Sequence, residues 1–279
     1  MFKNLVPGAL GVRADFEEGL ALARRHGFQG LDLPLDEAAA LGAAAVRARY
    51  TEHGLLPGGF GLAVNWREDE ATWRVGLERL PAQARLAREV GTGRCYTWVP
   101  AASNDRPFAE NFAFHVQRLR PVAAILAEAG CHLGLEFIGP ATIRRAHRYE
   151  FIWTMPGMLE LCAAVGDNAG LLLDGWHWYT AGHTVADLLT LRPEQVVYVH
   201  VNDAPAGVPV DQQIDSVRCL PGETGVIDIA GFLRALQQIG YDGPVTPEPF
   251  SQQLRSMTPD EAVQVTAASM DRIWAIAGL

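Results

Sequence analysis

The chain has 279 residues, 49% of them apolar, and a formal net charge of −9 at pH 7. That length and apolar content allow a single large core, as in closed α/β barrels of roughly 250 residues, whereas the acidic balance argues against a nucleic-acid surface, which needs concentrated basic charge. Cys95, Cys131, Cys162 and Cys219 lack C-x-x-C spacing, which excludes a zinc knuckle or disulfide framework, and no apolar run reaches the roughly 20 residues of a membrane span.

Helical and strand periodicities alternate along the chain, the pattern of parallel βαβ units. An opening strand is expected near Leu5 to Val12, and Arg13 and Asp15 follow before any signal-peptide core develops, which points to a soluble, cytoplasmic protein. Phe16 to His26 carries apolar residues at helical spacing and stops at Gly27, ahead of a short strand at Gly30 to Leu33. Asp36 to His53 is alanine-rich and helical, closing on Gly54. The rhythm continues with a strand at Phe60 to Val64, helix Glu70 to Val90, strand Arg94 to Val99, helix Pro107 to Ala129 and strand His132 to Phe137. Helix Pro156 to Val165, strand Gly170 to Asp174, helix Thr184 to Leu191, strand Val196 to Val201, helix Asp228 to Ile239, strand Pro244 to Glu248 and helix Pro259 to Ala277 complete it. Eight strands and eight helices predict a (β/α)8 TIM barrel, one domain over residues 1–279, rather than an open doubly wound sheet.

Four of these runs end on a residue that can bind a divalent metal: Leu133 to Glu136, Leu171 to Asp174, Val196 to His200 and Pro244 to Glu248. A carboxylate or imidazole at the end of a buried strand is costly unless it has a partner. One such ending is explained by helix capping or an ordinary satisfied histidine. Four in succession, on strands five to eight and 38, 26 and 48 residues apart, predict side chains converging at the end of the barrel where this fold places function. Three carboxylates and one imidazole are hard to keep together without a cation; oxygen-rich ligation with one imidazole suits Mn²⁺, Mg²⁺ or Co²⁺, and Zn²⁺ also fits.

Trp66, Trp98, Trp153, Trp176 and Trp178 fall at or just beyond strand ends, where aromatic faces either stack on the C–H faces of a sugar or anchor loops; Trp98 and Trp176 are the candidates for substrate contact. His26, His53, His115, His132 and His147 read as structural or exposed, and His183 as belonging to a helix entry. Asp203, three residues after His200, either orients that imidazole from behind or caps a helix. Pro247 is compatible with a strand end, not with a strand interior.

The stretches Leu133-Gly134-Leu135-Glu136-Phe137, Asp174-Gly175-Trp176-His177, Val199-His200-Val201-Asn202-Asp203, Leu220 to Asp228 and Gly243 to Glu248 resemble the xylose-isomerase-like superfamily of sugar isomerases and epimerases. The resemblance runs from strand five to strand eight; the first half matches in strand rhythm. It implies Glu136, Asp174, His200 and Glu248 as metal ligands, Glu136 and Glu248 also as the proton-transfer pair, and His177 and Arg218 as substrate contacts, with Arg144 or Arg145 as alternatives to Arg218. Removing a proton beside a carbonyl creates an enediolate whose charge a divalent ion stabilises, and two carboxylates can take and return that proton. The expected activity is isomerisation or epimerisation of a sugar or polyol. A lyase that expels a β-hydroxyl, as an inosose-type dehydratase does, is the alternative. A repair endonuclease would need further strand-end histidines and a basic groove, and neither is present. No nucleic-acid or membrane partner is implied, and the choice between monomer and homo-oligomer stays open.

Overall fold

The computed structural model describes residues 1–279. Its sheet is a closed parallel barrel of eight strands: β1 (Phe2–Leu5), β2 (Gly30–Leu31), the divided β3 (Leu56–Pro57 and Phe60–Gly61), β4 (Arg94–Trp98), β5 (His132–Glu136), β6 (Ala169–Asp174), β7 (Val196–Val201) and β8 (Pro244–Pro247). β8 pairs with β1, and closure runs through β3, whose first half pairs with β2 and whose second half pairs with β4. The break falls at Gly58 and Gly59 because the chain passes unusually close to the barrel filling there. A Cβ on Gly58 would lie 2.3 Å from the Asn4 side-chain oxygen and 2.5 Å from Asp32, and one on Gly59 would lie 2.6 Å from the Tyr198 ring. Only glycine fits that approach.

The barrel filling includes a polar cluster. Asp32 accepts hydrogen bonds from the Tyr96 hydroxyl at 2.7 Å and from Asn4, the Gly59 amide and the Tyr198 hydroxyl at 2.8 Å each. Burial raises its pKa and these four donors oppose the rise. Thr246 bonds both Asn4 and Tyr198, so the cluster ties β1, β2, β4, β7 and β8 together.

Outside the sheet the helices alternate with the strands as expected, from Phe16–Arg25, capped by Asp15 and Glu18, to Pro259–Ala277, capped by Thr258 and Glu261. Several boundaries differ from the sequence reading for local reasons. The first strand, expected near Leu5 to Val12, lies earlier, at Phe2–Leu5, and Pro7 starts a 3-10 turn over Pro7–Leu10 in its place. The expected helix Asp36 to His53 is two helices, Leu35–Leu41 and Ala43–His53, divided at Gly42, whose φ of +81° is left-handed. Two features had no periodic signal. A short antiparallel pair joins Ala102–Ser103 to Tyr149–Glu150, and a one-turn helix spans Ala141–Arg145. All four cysteines are free thiols, and no helix is long and apolar enough to cross a membrane.

Candidate metal centre and its cavity

The four strand-end residues meet. Glu136 and Asp174 are the last residues of β5 and β6, while His200 lies in register with Asp174 on one side and Thr246 on the other. Pro247 is the last residue of β8, and the Glu248 amide still donates to the Val201 carbonyl at 2.9 Å, so the proline displaces no ligand. One potential ligand atom from each of Glu136, Asp174, His200 and Glu248 lies within 4.8 Å of the others. His200 Nδ1 is the hub, 3.4 Å from Glu136 Oε1, 3.5 Å from Glu248 Oε2 and 3.8 Å from Asp174 Oδ2.

Burial sets the electrostatics. It pushes the Glu136 carboxyl up to about 8 and raises that of Glu248. Burial would lower His200, but Glu248, Glu136 and Asp174 outweigh it and push the imidazole up to about 9. Asp174 moves the other way: burial alone would raise it, and the charges of Arg218, His177 and His200 hold it well below the usual carboxylate range. Arg218 is buried among these groups. Its Nη1 donates to Asp174 Oδ2 at 2.8 Å and Glu248 Oε2 at 3.0 Å, its Nη2 donates to Asp215 Oδ1 at 2.8 Å and lies 3.3 Å from His177 Nε2.

The residues fit a divalent cation. Glu136 Oε1 and His200 Nδ1 are buried and make no hydrogen bond, which is costly unless something else occupies the space between them. Asn202, unassigned from sequence, donates to Asp174 Oδ1 at 3.0 Å and leaves Oδ2 facing His200. An oxygen-rich set with one imidazole is the donor chemistry of Mn²⁺, Mg²⁺, Co²⁺ or Zn²⁺.

A cavity of about 480 Å³ opens over Glu136 and Glu248. His177 and Arg218 line it, as do Trp98, Ile138, Ile143 and Phe250. His177 is held from behind by the Gly139 amide, which donates to its Nδ1 at 3.1 Å, and burial lowers its pKa to about 4. Trp98 is 45% exposed beside the cavity. Trp176 is fully buried and does not line it; the Arg218 guanidinium lies 5.4 Å above its ring. Neither alternative arginine reaches the cavity: Arg144 stacks on Trp153 and Arg145 pairs with Asp211. A larger cavity, about 720 Å³ around Arg88 and Arg94, has none of these groups in its wall.

Asp203 serves neither role considered for it. Its carboxylate accepts four backbone amides, from Ala204 and Ile227 on one oxygen and Thr224 and Gly225 on the other, and so pins the loop after β7. His147 lines the cavity, which its neighbours in sequence did not indicate; His183 accepts from the Met155 amide at the entry of helix Met155–Val165. Asp215 and Phe250 carried no sequence signal: one lies in a long aperiodic loop, and the other follows Glu248 in a backbone conformation with φ of 41° that only the fold reveals.

The profile of the family described as "Xylose isomerase-like TIM barrel" matches residues 20–273. The solved structure of a xylose isomerase domain protein from Alicyclobacillus acidocaldarius superposes with a TM-score of 0.89 at 31% identity, covering 100% of both chains. The inosose isomerase of Bacillus velezensis is 22% identical over 268 residues, 93% of this chain and 92% of that one. The IolI protein with a bound zinc atom shares the fold, with a TM-score of 0.79 at 20% identity over 100% of this chain and 98% of that one.

Proposed function

Because the chain belongs to the xylose isomerase-like TIM-barrel family, we propose that it is a divalent-metal-dependent isomerase or epimerase of a sugar or cyclitol, working in the cytoplasm as one domain over residues 1–279. The observation that carries this reading is the convergence of Glu136, Asp174, His200 and Glu248 within 4.8 Å at the C-terminal end of the barrel, beneath a cavity large enough for a monosaccharide. The similarity to an inosose isomerase and to a zinc-binding protein of the same fold supports both the reaction class and the ion.

In this proposal the bound ion supplies Lewis-acid stabilisation to negative charge developing on the substrate oxygens. The chain's own groups do the rest. Glu136 and Glu248 flank His200 Nδ1 at 3.4 and 3.5 Å, so each carboxylate has a second oxygen able to face a substrate carbon. One removes a proton beside the carbonyl and the other returns it, to the same carbon for epimerisation or to its neighbour for isomerisation. His177, fixed through Nδ1 by Gly139, directs Nε2 toward the substrate side, where Arg218 is anchored by Asp215. Trp98, Ile138 and Phe250 give apolar faces on which the C–H side of a ring can lie and exclude water.

The test is turnover of ketoses and inososes by Mn²⁺-loaded protein in D₂O. Deuterium should enter the reacting carbon, and Glu248→Gln should lose about 100-fold or more in turnover while keeping its metal. Conversion with no deuterium uptake and normal turnover in Glu248→Gln would sink the two-carboxylate reading. Loss of 18 mass units from the substrate, the mass of water, would identify the lyase instead.

A further inference from the structure

A second, smaller cavity of about 130 Å³ adjoins the first. Pro100 and Ala102 line both. Its remaining wall is formed by Arg67, Arg106, Ser103, Asn111 and His115 together with the aromatic rings of Trp66 and Phe114. Arg67 lies over the rings of Trp66 and Trp98, 4.9 and 4.1 Å from their centroids, and Arg106 lies 4.0 Å from that of Phe114. Neither guanidinium forms a salt bridge; burial lowers the Arg67 pKa, and Glu68 opposes the shift only in part. Stacking on aromatic faces holds both cations; Arg67 spends one N–H on the Trp98 carbonyl, and the remaining N–H groups of Arg67 and those of Arg106 make no hydrogen bond, an arrangement that suits a planar or tetrahedral oxyanion.

The polar side chains point the same way. Asn111 makes no side-chain hydrogen bond within the protein and lines the cavity wall. The Ser103 hydroxyl accepts from the Asp105 and Arg106 amides at 3.1 and 3.0 Å, so its own hydrogen is available to donate. His115 spends Nδ1 on the Asn111 carbonyl at 2.7 Å, and Nε2 has no partner. A water occupies about 30 Å³ in the liquid, so 130 Å³ holds a group of a few heavy atoms and no more.

We propose that this pocket binds a small oxyanion, a carboxylate or phosphate group, held by Arg67 and Arg106 with Asn111 and Ser103. Two sources share that chemistry. One is the distal acidic group of a substrate whose reacting end lies over Glu136 and Glu248, reaching across the Pro100–Ala102 wall. The other is a free inorganic anion, which would stiffen Arg67 and through it Trp98, whose carbonyl accepts from Arg67 Nη1 at 2.9 Å.

The experiment uses metal-free protein, so it succeeds or fails independently of the proposed isomerase activity. Inorganic phosphate and acetate are titrated at constant ionic strength, with tryptophan fluorescence, to which Trp66 and Trp98 contribute, and calorimetry as readouts. Saturable binding of at least one probe is expected, weakened about tenfold or more in Arg106→Met and unchanged in Arg272→Met, on the distant C-terminal helix. Arg106 is exposed, and matching unfolding temperatures will show that the variant keeps its fold. In turnover assays, a substrate tail predicts a KM rise of about tenfold for a sugar acid at unchanged kcat, with neutral sugars unaffected; a free anion predicts no KM change for either. No saturable binding by either probe, or equal binding in Arg106→Met and the wild type, overturns the proposal.

Discussion

Arg218 donates to the same carboxylate oxygens that face His200, Asp174 Oδ2 at 2.8 Å and Glu248 Oε2 at 3.0 Å. In the metal-free protein it therefore compensates two buried carboxylates together with His200, as the larger partner for Asp174 and the smaller for Glu248. Arg218→Met preserves much of the side-chain length and removes the charge. Removing one member of a buried ion pair costs about 3–5 kcal/mol. At about 2–4 °C per kcal/mol for chains of this size, the chelated variant should unfold roughly 10 °C lower than the wild type. With Mn²⁺ bound, the ion balances the same carboxylates and the penalty should shrink to about 1–2 kcal/mol. By linkage the difference, about 2 kcal/mol, appears as ion affinity some 30-fold tighter in the variant. Differential scanning calorimetry in EDTA and in Mn²⁺, with a metal titration of each protein, measures both sides of the cycle. An equal drop in both buffers, or weaker ion binding by Arg218→Met, would refute the view that arginine and cation compete for one set of charges.

His177→Ala should retain its metal, since its imidazole contacts Arg218 and Gly139 rather than the ligand cluster, while turnover falls by about tenfold or more; metal analysis of the purified variant decides, and loss of the ion would reverse the assignment. His115 supplies a pH dependence of stability: burial holds its folded pKa near 4 against 6.5, so the unfolded chain binds the extra proton, and the stability present above pH 6.5 is lost as pH falls toward 4. That shift corresponds to about 3 kcal/mol, and urea unfolding at pH 7.5 and 4.5 should show it diminished in His115→Phe. Gly58→Ala should cost about 1–3 kcal/mol, because the new methyl meets Asn4 and Asp32, whereas Gly61→Ala, with nothing within 4 Å, should be near neutral; chemical denaturation of the pair tests whether the pinch in β3 is steric.

The clustering of the four candidate ligands was legible in sequence because a carboxylate or imidazole at the end of an apolar strand is costly to bury without a partner, and four such endings in step leave few alternatives. Glu136, Asp174, His200 and Glu248 needed only strand rhythm to be picked out. Arg218 could be singled out by family resemblance, but not its hold on Asp174 and Glu248, since that depends on how the loop after β7 folds back. Asp203 pins that loop through amides of residues up to 24 positions away, a relation no local pattern carries. Trp176 stands beside Asp174 in sequence, but at the strand-to-helix turn its ring faces inward and is fully buried. Boundaries failed where one residue overrode periodicity: Pro7 turned most of the expected first strand into a 3-10 turn and left the strand at Phe2–Leu5, and Gly42 divided a helix whose alanine content is otherwise continuous.

The divided third strand brings the wall against the barrel filling at two adjacent glycines, and the proposed ion's holders all lie on the other half of the wall, β5 to β8. Trp98, Pro100 and Ala102 come from β4 and the residues just after it. One part of the cavity wall is thus carried by a stretch of chain that holds none of the proposed ligands, while Ile138, His177, Arg218 and Phe250 share the half that does. Under the proposed function, substitutions between Trp98 and Arg106 would reshape that part of the wall while every proposed ligand and proton carrier stays in place, so a change of substrate could proceed without disturbing the proposed chemistry.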